Sequence, residues 1–332
     1  MNMATGKVQR RGLTGFWQGR RVCVAGGAGF LGSRISDRLR AAGAQVESVS
    51  RRSGTDLRNG ADAIKALSSL KPEVLINCAA DQGGIEYQRQ KPATIMVNNL
   101  LIGINLMEAA RAAQVAKYVD IVAACAYPGY QDHGLLTESA FWDGPLHDSV
   151  LNYGITKKVQ TVQGLMYRRQ YGFRSIHLIM TNLYGPGDHF HPTRSHALAA
   201  LIRKFYEARR DGSPQVVVWG TGRPVREWMF VDDAATLVLR AAEVYDAVEP
   251  LNIGTGVGIT ISELAETVGR MVEFHGQIAY DTSKGDGAMR KVMDTSKMKG
   301  ALGELSLTPL ELGISRTVAW FSENYEKVAS GI

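Results

Sequence analysis

The sequence predicts an α/β fold: a doubly wound parallel sheet followed by a smaller C-terminal part. Three observations carry this. Short apolar runs alternate with amphipathic ones from Arg21 to Met180, the pattern of βα units. The first run, Val22 to Ala25, ends in glycines spaced by three: Gly26, Gly29 and Gly32. The alternation then breaks at Thr181-Asn182-Leu183-Tyr184-Gly185-Pro186-Gly187, where a second part of the chain begins.

Each element follows in order. Strand, glycine turn and the helix Phe30 to Ala42 form the context that makes a glycine pattern a dinucleotide site, in a Rossmann-type sheet. Gly26 permits the tight turn, Gly29 lets the backbone approach a pyrophosphate, and Gly32 lets helix pack on strand. Phe30 and Leu31, at the helix start, present unpaired N–H groups to the phosphates. A second strand, Gln45 to Ser50, ends in Arg51 and Arg52 rather than Asp or Glu. Guanidinium groups suit a 2′-phosphate, so NADP(H) is favoured, with NAD(H) possible and two solvated arginines as the bland alternative. Asp56 and Leu57 follow where a side chain would reach the adenine.

Glu73 to Ala79 is the next strand, and Ala79, Ala80 and the loop through Gly84 lie at its carboxyl end, where open α/β sheets bind ligands. An apolar helix, Asn98 to Ala113, leads to the strand Tyr118 to Ala123 and then to Cys125. Asp132 to Ser149 is a long loop of the kind that carries substrate contacts. Tyr153 and Lys157 open a helix to Tyr171 and share one of its faces. A lysine beside a phenol lowers the phenol pKa and readies it for proton exchange during hydride transfer. Arg174 to Met180 is a strand. Val216 to Trp219 is another, and Asp232-Asp233 caps the helix through Val244. Thr260 starts a further helix, Gly285 to Asp294 is a polar loop holding Arg290 and Lys291, and Ser306 to Tyr325 contains the closing helix.

Composition narrows the class. The chain has 332 residues, 45% hydrophobic and 21% charged, enough for a sizeable core. No apolar run reaches membrane-span length, and Met1 to Gly19 lacks a signal-peptide core, so a cytoplasmic protein is expected, with residues 1–20 as a loose lead-in carrying Lys7, Arg10 and Arg11. Cys23, Cys78 and Cys125 lack C-x-x-C spacing, which argues against disulfides and zinc. His189, His191 and His196 lack H-x-x-x-H spacing on a helix, so no metal is expected. The net charge of +6 suits an anionic ligand or is merely a basic surface, and nothing in its patterning points to nucleic acid.

Taken together, Gly26-x-x-Gly29-x-x-Gly32, Tyr153-x-x-x-Lys157, Asn182-Leu183-Tyr184-Gly185-Pro186, Arg226-Glu227-x-x-x-Val231-Asp232-Asp233 and Asn252-Ile253-Gly254 resemble the extended short-chain dehydrogenases/reductases that act on nucleotide sugars, the NAD-dependent epimerase/dehydratase family. The likeness covers Arg21 to Tyr325. Within that family the segments around Tyr184 and Trp219 are similar to enzymes that epimerise and reduce a GDP-4-keto-6-deoxy sugar. The resemblance implies a dinucleotide-binding domain over 21–182, with a return segment at about 231–254, and a nucleotide-sugar domain over 183–230 and 255–332. It implies that Tyr153 protonates the C4 oxygen while Lys157 holds the nicotinamide ribose, that Cys125 and His196 form an acid/base pair for epimerisation, and that His196 also touches the cofactor. Gly84, Asn182, Trp219, Arg226, Arg290 and Lys291 would contact the substrate, Arg226 at the diphosphate unless it is only a surface partner of Glu227. A homodimer through the helices Asn98–Ala113 and Tyr153–Tyr171 is implied, or else their apolar faces are internal.

One position departs from the family. A Ser or Thr two residues before the cysteine would bond the reacting oxygen, and here that residue is Ala123, followed by Ala124. Losing such a donor lowers rate on the order of 100-fold. Another donor replaces it, or the enzyme mainly epimerises a keto-sugar made by a different protein, or the chain is an engineered or degraded variant; a nucleotide-sugar epimerase whose cofactor is not consumed is the enzymatic alternative, and a dinucleotide-binding sensor or scaffold the non-enzymatic one.

Overall fold

The computed structural model describes residues 15–130 and 134–330. Its strands, in chain order, are β1 (Arg21–Ala25), β2 (Gln45–Val49), β3 (Val74–Asn77), β4 (Lys117–Ala123), β5 (Ser175–Met180), β6 (Asn182–Tyr184), β7 (Gln215–Trp219), β8 (Val225–Phe230), β9 (Leu251–Ile253), β10 (Gly258–Thr260), β11 (Gln277–Asp281) and β12 (Arg290–Lys291). The helices are α1 (Phe30–Ala41), α2 (Gly60–Leu70), α3 (Ile85–Gln90), α4 (Pro92–Ala112), α5 (Leu151–Tyr171), α6 (Ala197–Arg210), α7 (Val231–Val244), α8 (Ile261–Val272), α9 (Ser296–Leu302), α10 (Leu310–Glu323) and α11 (Tyr325–Ala329).

The main sheet is parallel throughout, in the order β2-β1-β3-β4-β5-β9. One apolar core joins α1 and α7 to one face, and another joins α2 and α4 to the other. Burial on both faces explains why β3 and β5 are buried along their whole length. On α1, Leu31, Ile35 and Leu39 recur every four residues and all point into the core. The strand order turns back between β1 and β3, which opens a crevice at the carboxyl edge.

Beyond Met180 the chain leaves this sheet. A second sheet centres on β8, flanked by β6 and β12 in parallel and by β10 antiparallel, while β7 and β11 form a separate parallel pair. A distinct core, with Phe205, Leu264, Val268 and Phe321, lies between α6, α8 and α10. Thr260 starts α8 through a reciprocal cap: its side chain accepts from the N–H of Glu263, whose carboxylate accepts from the N–H of Thr260.

Several expectations are corrected. Lys7, Arg10 and Arg11 lie outside the described residues, but from Gly15 the lead-in is packed, because Trp17 is fully buried against the main core. The stretch at Asn182 is a strand, and the loop 285–294 contains β12. α4 begins at Pro92, six residues before Asn98, because proline suits a first helical position. Phe230, not Asp232-Asp233, is the cap of α7; Asp232 instead faces Arg34 and Arg38 of α1, and Asp233 accepts from the N–H of Thr308. Contrary to the reading that no run reaches membrane length, α4 is long and apolar enough to do so by composition, yet here it packs between α2 and α5. The long loop, described from residue 134, is pinned at three places: Leu136 bridges to Met293, Leu146 bridges to Pro128, and Phe141 is buried.

Candidate functional site

The glycine turn lies where β1 meets α1. Gly26 is left-handed, with φ +73°, and a Cβ there would sit 3.0 Å from Ala79. A Cβ on Gly32 would lie 2.2 Å from the Gly26 carbonyl oxygen, so helix and strand meet only because it is absent. Gly29 caps α1 without any side-chain bond to the first-turn N–H groups. A Cβ there would touch only the Gly26 oxygen, at 3.1 Å. The first-turn N–H groups thus receive no side-chain cap and sit at the positive end of the helix dipole, which fits a pyrophosphate.

The turn after β2 holds Arg51 and Arg52 exposed. Ser50 and Ser53 cap it reciprocally: the Ser50 N–H donates to Ser53 Oγ at 2.8 Å, and the Ser53 N–H to Ser50 Oγ at 3.3 Å. Among the described residues neither guanidinium has an ion-pair partner. Asp56 lies just beyond this turn, paired with Arg58. Arg58 donates to both its oxygens, at 2.6 and 2.9 Å, and this holds the carboxyl down at about 2. Leu57 is buried in the core below.

At the carboxyl ends of β3, β4 and β5 the predicted chemical residues do come together. Gly154 allows this, since a Cβ there would lie 2.8 Å from the Cys125 carbonyl oxygen, so α5 rests on the turn after β4. The Tyr153 ring packs with Cys125, Ala123, Tyr87 and Ile95. Its hydroxyl donates to Gln82 Oε1 at 3.4 Å, and Gln82 Nε2 is 2.7 Å from His196 Nε2. Gly84 joins two loops: its N–H donates to the Arg194 carbonyl, and a Cβ would lie 2.3 Å from the Ser195 oxygen. Lys157 is 2% exposed, with its ammonium on Gln160 Oε1 at 3.1 Å and 5.8 Å from the centre of the Tyr153 ring.

The electrostatics correct one expectation. Burial raises the Tyr153 phenol well above its ordinary value, and Cys125 and Asp120 push the same way. Desolvation outweighs the ammonium, so the resting group is a neutral phenol able to give a proton. Burial likewise pushes the Cys125 thiol up to about 12, against Lys291 and Lys157, and pulls His196 down to about 4. The pair rests as a thiol and a neutral imidazole.

Sequence reasoning passed over two features here. One is Gln82. The other is a buried polar row across three strands: Asn77 Nδ2 donates to Asp120 Oδ1 at 3.0 Å, and His177 Nδ1 lies 3.4 Å from Asp120 Oδ2. Lys157 helps keep the Asp120 carboxyl low despite burial. Polar side chains inside otherwise apolar strands are the signal that would have found this row.

The remaining predicted residues lie on the second sheet, except Trp219, which ends β7 of the separate pair. Asn182 Nδ2 donates to the Glu227 carbonyl. Glu227 is fully buried and accepts from the N–H groups of Thr255, Gly256 and Met293, so it ties three segments together and does not pair with Arg226. Arg226 has no carboxylate at ion-pair distance among the described residues, and burial draws it down to about 10. Lys291 donates to the carbonyls of Tyr127 and Pro128 beside Cys125, whereas Arg290 donates outward to the Gly134 carbonyl. Trp219 is 50% exposed, with the ammonium groups of Lys204 and Lys284 at 5.0 and 5.5 Å over its ring. Among the described residues no group of three or more His, Cys, Asp or Glu side chains converges as metal ligands.

Residues 22–254 match the model of the NAD dependent epimerase/dehydratase family. A probable GDP-L-fucose synthase 1 from Oryza sativa subsp. japonica is 37% identical over 308 residues, covering 92% of this chain and 93% of its own. The structure of a GDP-L-fucose synthetase from Naegleria fowleri bound to NADP superposes with a TM-score of 0.83 at 26% identity, over 93% of this chain and 96% of that one. A GDP-6-OMe-4-keto-L-xylo-heptose reductase from Campylobacter jejuni superposes with a TM-score of 0.86 at 25% identity, over 94% and 99%.

Proposed function

Since the chain belongs to the NAD dependent epimerase/dehydratase family, we propose that it is an NADP(H)-dependent epimerase/reductase of a GDP-linked 4-keto sugar. The observation that carries this is the line Tyr153–Gln82–His196 beside Cys125, at the edge where the glycine turn would hold a pyrophosphate. When bound, NADPH supplies a hydride. Gly26, Gly29 and Gly32 shape its pyrophosphate site, Arg51 and Arg52 face its 2′-phosphate, and Lys157 binds the nicotinamide ribose.

The chain's own groups then do the rest. Arg226 neutralises the diphosphate, because a guanidinium buried without a carboxylate partner gains most from an anion. Trp219, half-exposed with the Lys204 and Lys284 ammonium groups beside its ring, contacts the nucleobase. Cys125 and His196 exchange protons at the carbons next to the ketone, whose C–H bonds the carbonyl acidifies. Tyr153, a neutral phenol at rest, gives its proton to the C4 oxygen as hydride reaches C4. Residues 21–182 with 231–254 hold the cofactor, and 183–230 with 255–332 hold the sugar nucleotide. The chain works as a homodimer through α4 and α5, where Ile104, Val159 and Val162 are exposed near Trp142. Its three free thiols suit a reducing, cytoplasmic setting.

The test is turnover of GDP-4-keto-6-deoxymannose in D2O, with and without NADPH. Solvent deuterium in the sugar together with NADPH oxidation is the expected result. Deuterium without oxidation would make the enzyme an epimerase alone, the reading that Ala123 favours, and the absence of both deuterium uptake and oxidation would overturn the proposal.

A further inference from the structure

Building on the keto-sugar reading above, we propose that Gln82 is a further catalytic residue: its carboxamide N–H donates to the C4 oxygen, in place of the hydroxyl that Ala123 lacks. The oxygen to be reduced must come within hydrogen-bond reach of Tyr153 Oη. That hydroxyl already donates to Gln82, at 3.4 Å, so the carboxamide borders the place the oxygen must take. Neither Ala123 nor Ala124 carries a donor there. The other cations nearby are engaged: Lys157 on Gln160, and Lys291 on two backbone carbonyls.

The orientation of the amide follows from its partners. Tyr153 donates to Oε1, which leaves the NH2 facing His196 Nε2 at 2.7 Å. A carboxamide nitrogen only donates, so His196 Nε2 accepts and the imidazole carries its proton on Nδ1. His196 takes one N–H, and the NH2 has a second to give. When the ketone arrives, the long Tyr153–Gln82 bond is the one exchanged. Tyr153 then donates to the C4 oxygen, and so does Gln82. As hydride adds to C4, the C=O π pair moves to oxygen; the Gln82 N–H stabilises the growing charge and the Tyr153 proton neutralises it. Two donors in place beforehand are what such a step needs.

The backbone around Gln82 is built to hold it still. On one side the Asp81 N–H donates to Asn99 Oδ1 at 2.9 Å, and Asn99 Nδ2 returns to the Asp81 carbonyl at 2.8 Å. The Asp81 carboxylate accepts from Tyr87 Oη at 2.9 Å and from Asn98 Nδ2 at 2.7 Å. On the other side the Gly84 N–H is bonded to Arg194, two residues before His196. Gln82 itself is exposed, so it is not there to fill a core. A fixed loop carrying an exposed carboxamide between a phenol and an imidazole is an arrangement for positioning a donor.

The test compares the parent enzyme, Gln82→Met, and Gln82→Met with Ala123→Ser, using GDP-4-keto-6-deoxymannose and NADPH. Gln82→Met should lower kcat on the order of 100-fold, with KM and NADPH affinity within about threefold, and the added serine should recover at least about tenfold. A kcat within about threefold of the parent, or a loss that the serine does not recover, overturns the assignment. A second measurement needs no turnover: nitrogen-15 NMR of labelled histidine in the NADP-loaded protein, with His196 assigned by His196→Asn. The parent should hold His196 as the Nδ1–H tautomer, and Gln82→Met should move it towards Nε2–H. An unchanged tautomer overturns the role of Gln82 alone, whereas a parent inert towards the sugar overturns the function proposed above.

Discussion

Replacing Arg51 and Arg52 by serine should remove the preference for NADPH while leaving NADH binding nearly untouched. Both side chains are exposed on the capped turn after β2, and neither has an ion-pair partner among the described residues. A unit charge about 4 Å from another in water is worth about 1 kcal/mol, so a doubly charged 2′-phosphate gains about 2 kcal/mol from each guanidinium. Ordering a long exposed side chain returns up to about 1 kcal/mol of that. A net of about 1 kcal/mol per arginine is a factor of about five, and the pair together is worth roughly 30-fold. Titration of cofactor binding by fluorescence gives the number directly. Arg51→Ser/Arg52→Ser should weaken NADPH by roughly 30-fold, with NADH within about twofold. The parent's NADPH advantage should also shrink in about 1 M salt, where the Debye length falls to about 3 Å. Arg58→Ser is the control, because Asp56 already neutralises that guanidinium at 2.6 Å, so both cofactors should respond alike. A double variant that still prefers NADPH within about threefold of the parent would refute the reasoning.

Other outcomes follow from the same geometry. Gly32→Ala places a methyl 2.2 Å from a backbone oxygen that cannot swing away, so cofactor affinity should fall more than about 100-fold and the melting temperature should drop; Gly300→Ala, with nothing within 4 Å and a helix around it, should raise stability by about 0.5–1 kcal/mol. Alkylation of Cys125, followed by peptide mass spectrometry, should still be accelerating at pH 10, because a thiol held at about 12 is thiolate in roughly one molecule in 10⁴ at pH 8; a plateau below pH 9 would count against a thiol raised by desolvation. Burial raises the Asp188 carboxyl to about 7, so this group's stabilising contribution is complete below pH 4 and lost as pH rises through 7. Asp188→Asn should therefore melt higher than the parent at pH 8.5 and no higher at pH 4, and an equal gain at both would show that ionisation is not the cause.

The elements readable without a structure were those whose signal is local. The glycine triplet announced its turn because strand, turn and helix are contiguous and each glycine answers a steric demand within a few residues. The Tyr153–Lys157 spacing placed both side chains on α5 for the same reason, since helical periodicity acts over four residues. Arg51 and Arg52 could be placed just after β2 because the end of that strand is marked by its own pattern. β12 and β6 were missed because two or three residues carry no periodicity, and only pairing with β8 makes them strands.

What tertiary structure decided is whatever depends on groups distant in sequence. The neutrality of Tyr153 comes from burial by Tyr87, Ile95 and Cys125 on three other segments, and that desolvation reverses the effect its local partner Lys157 suggests. Asn77, Asp120 and His177 form a row only because β3, β4 and β5 align them in register. Gln82 reaches Tyr153 and His196 across 71 and 114 residues of chain. The cofactor turn and the helix that carries the phenol are legible in the chain alone, because short-range sterics and helix period are written in neighbouring residues. The protonation states and the donor beside the reacting oxygen were set by the packing of loops at one sheet edge, since desolvation and hydrogen bonding depend on what surrounds a group in space.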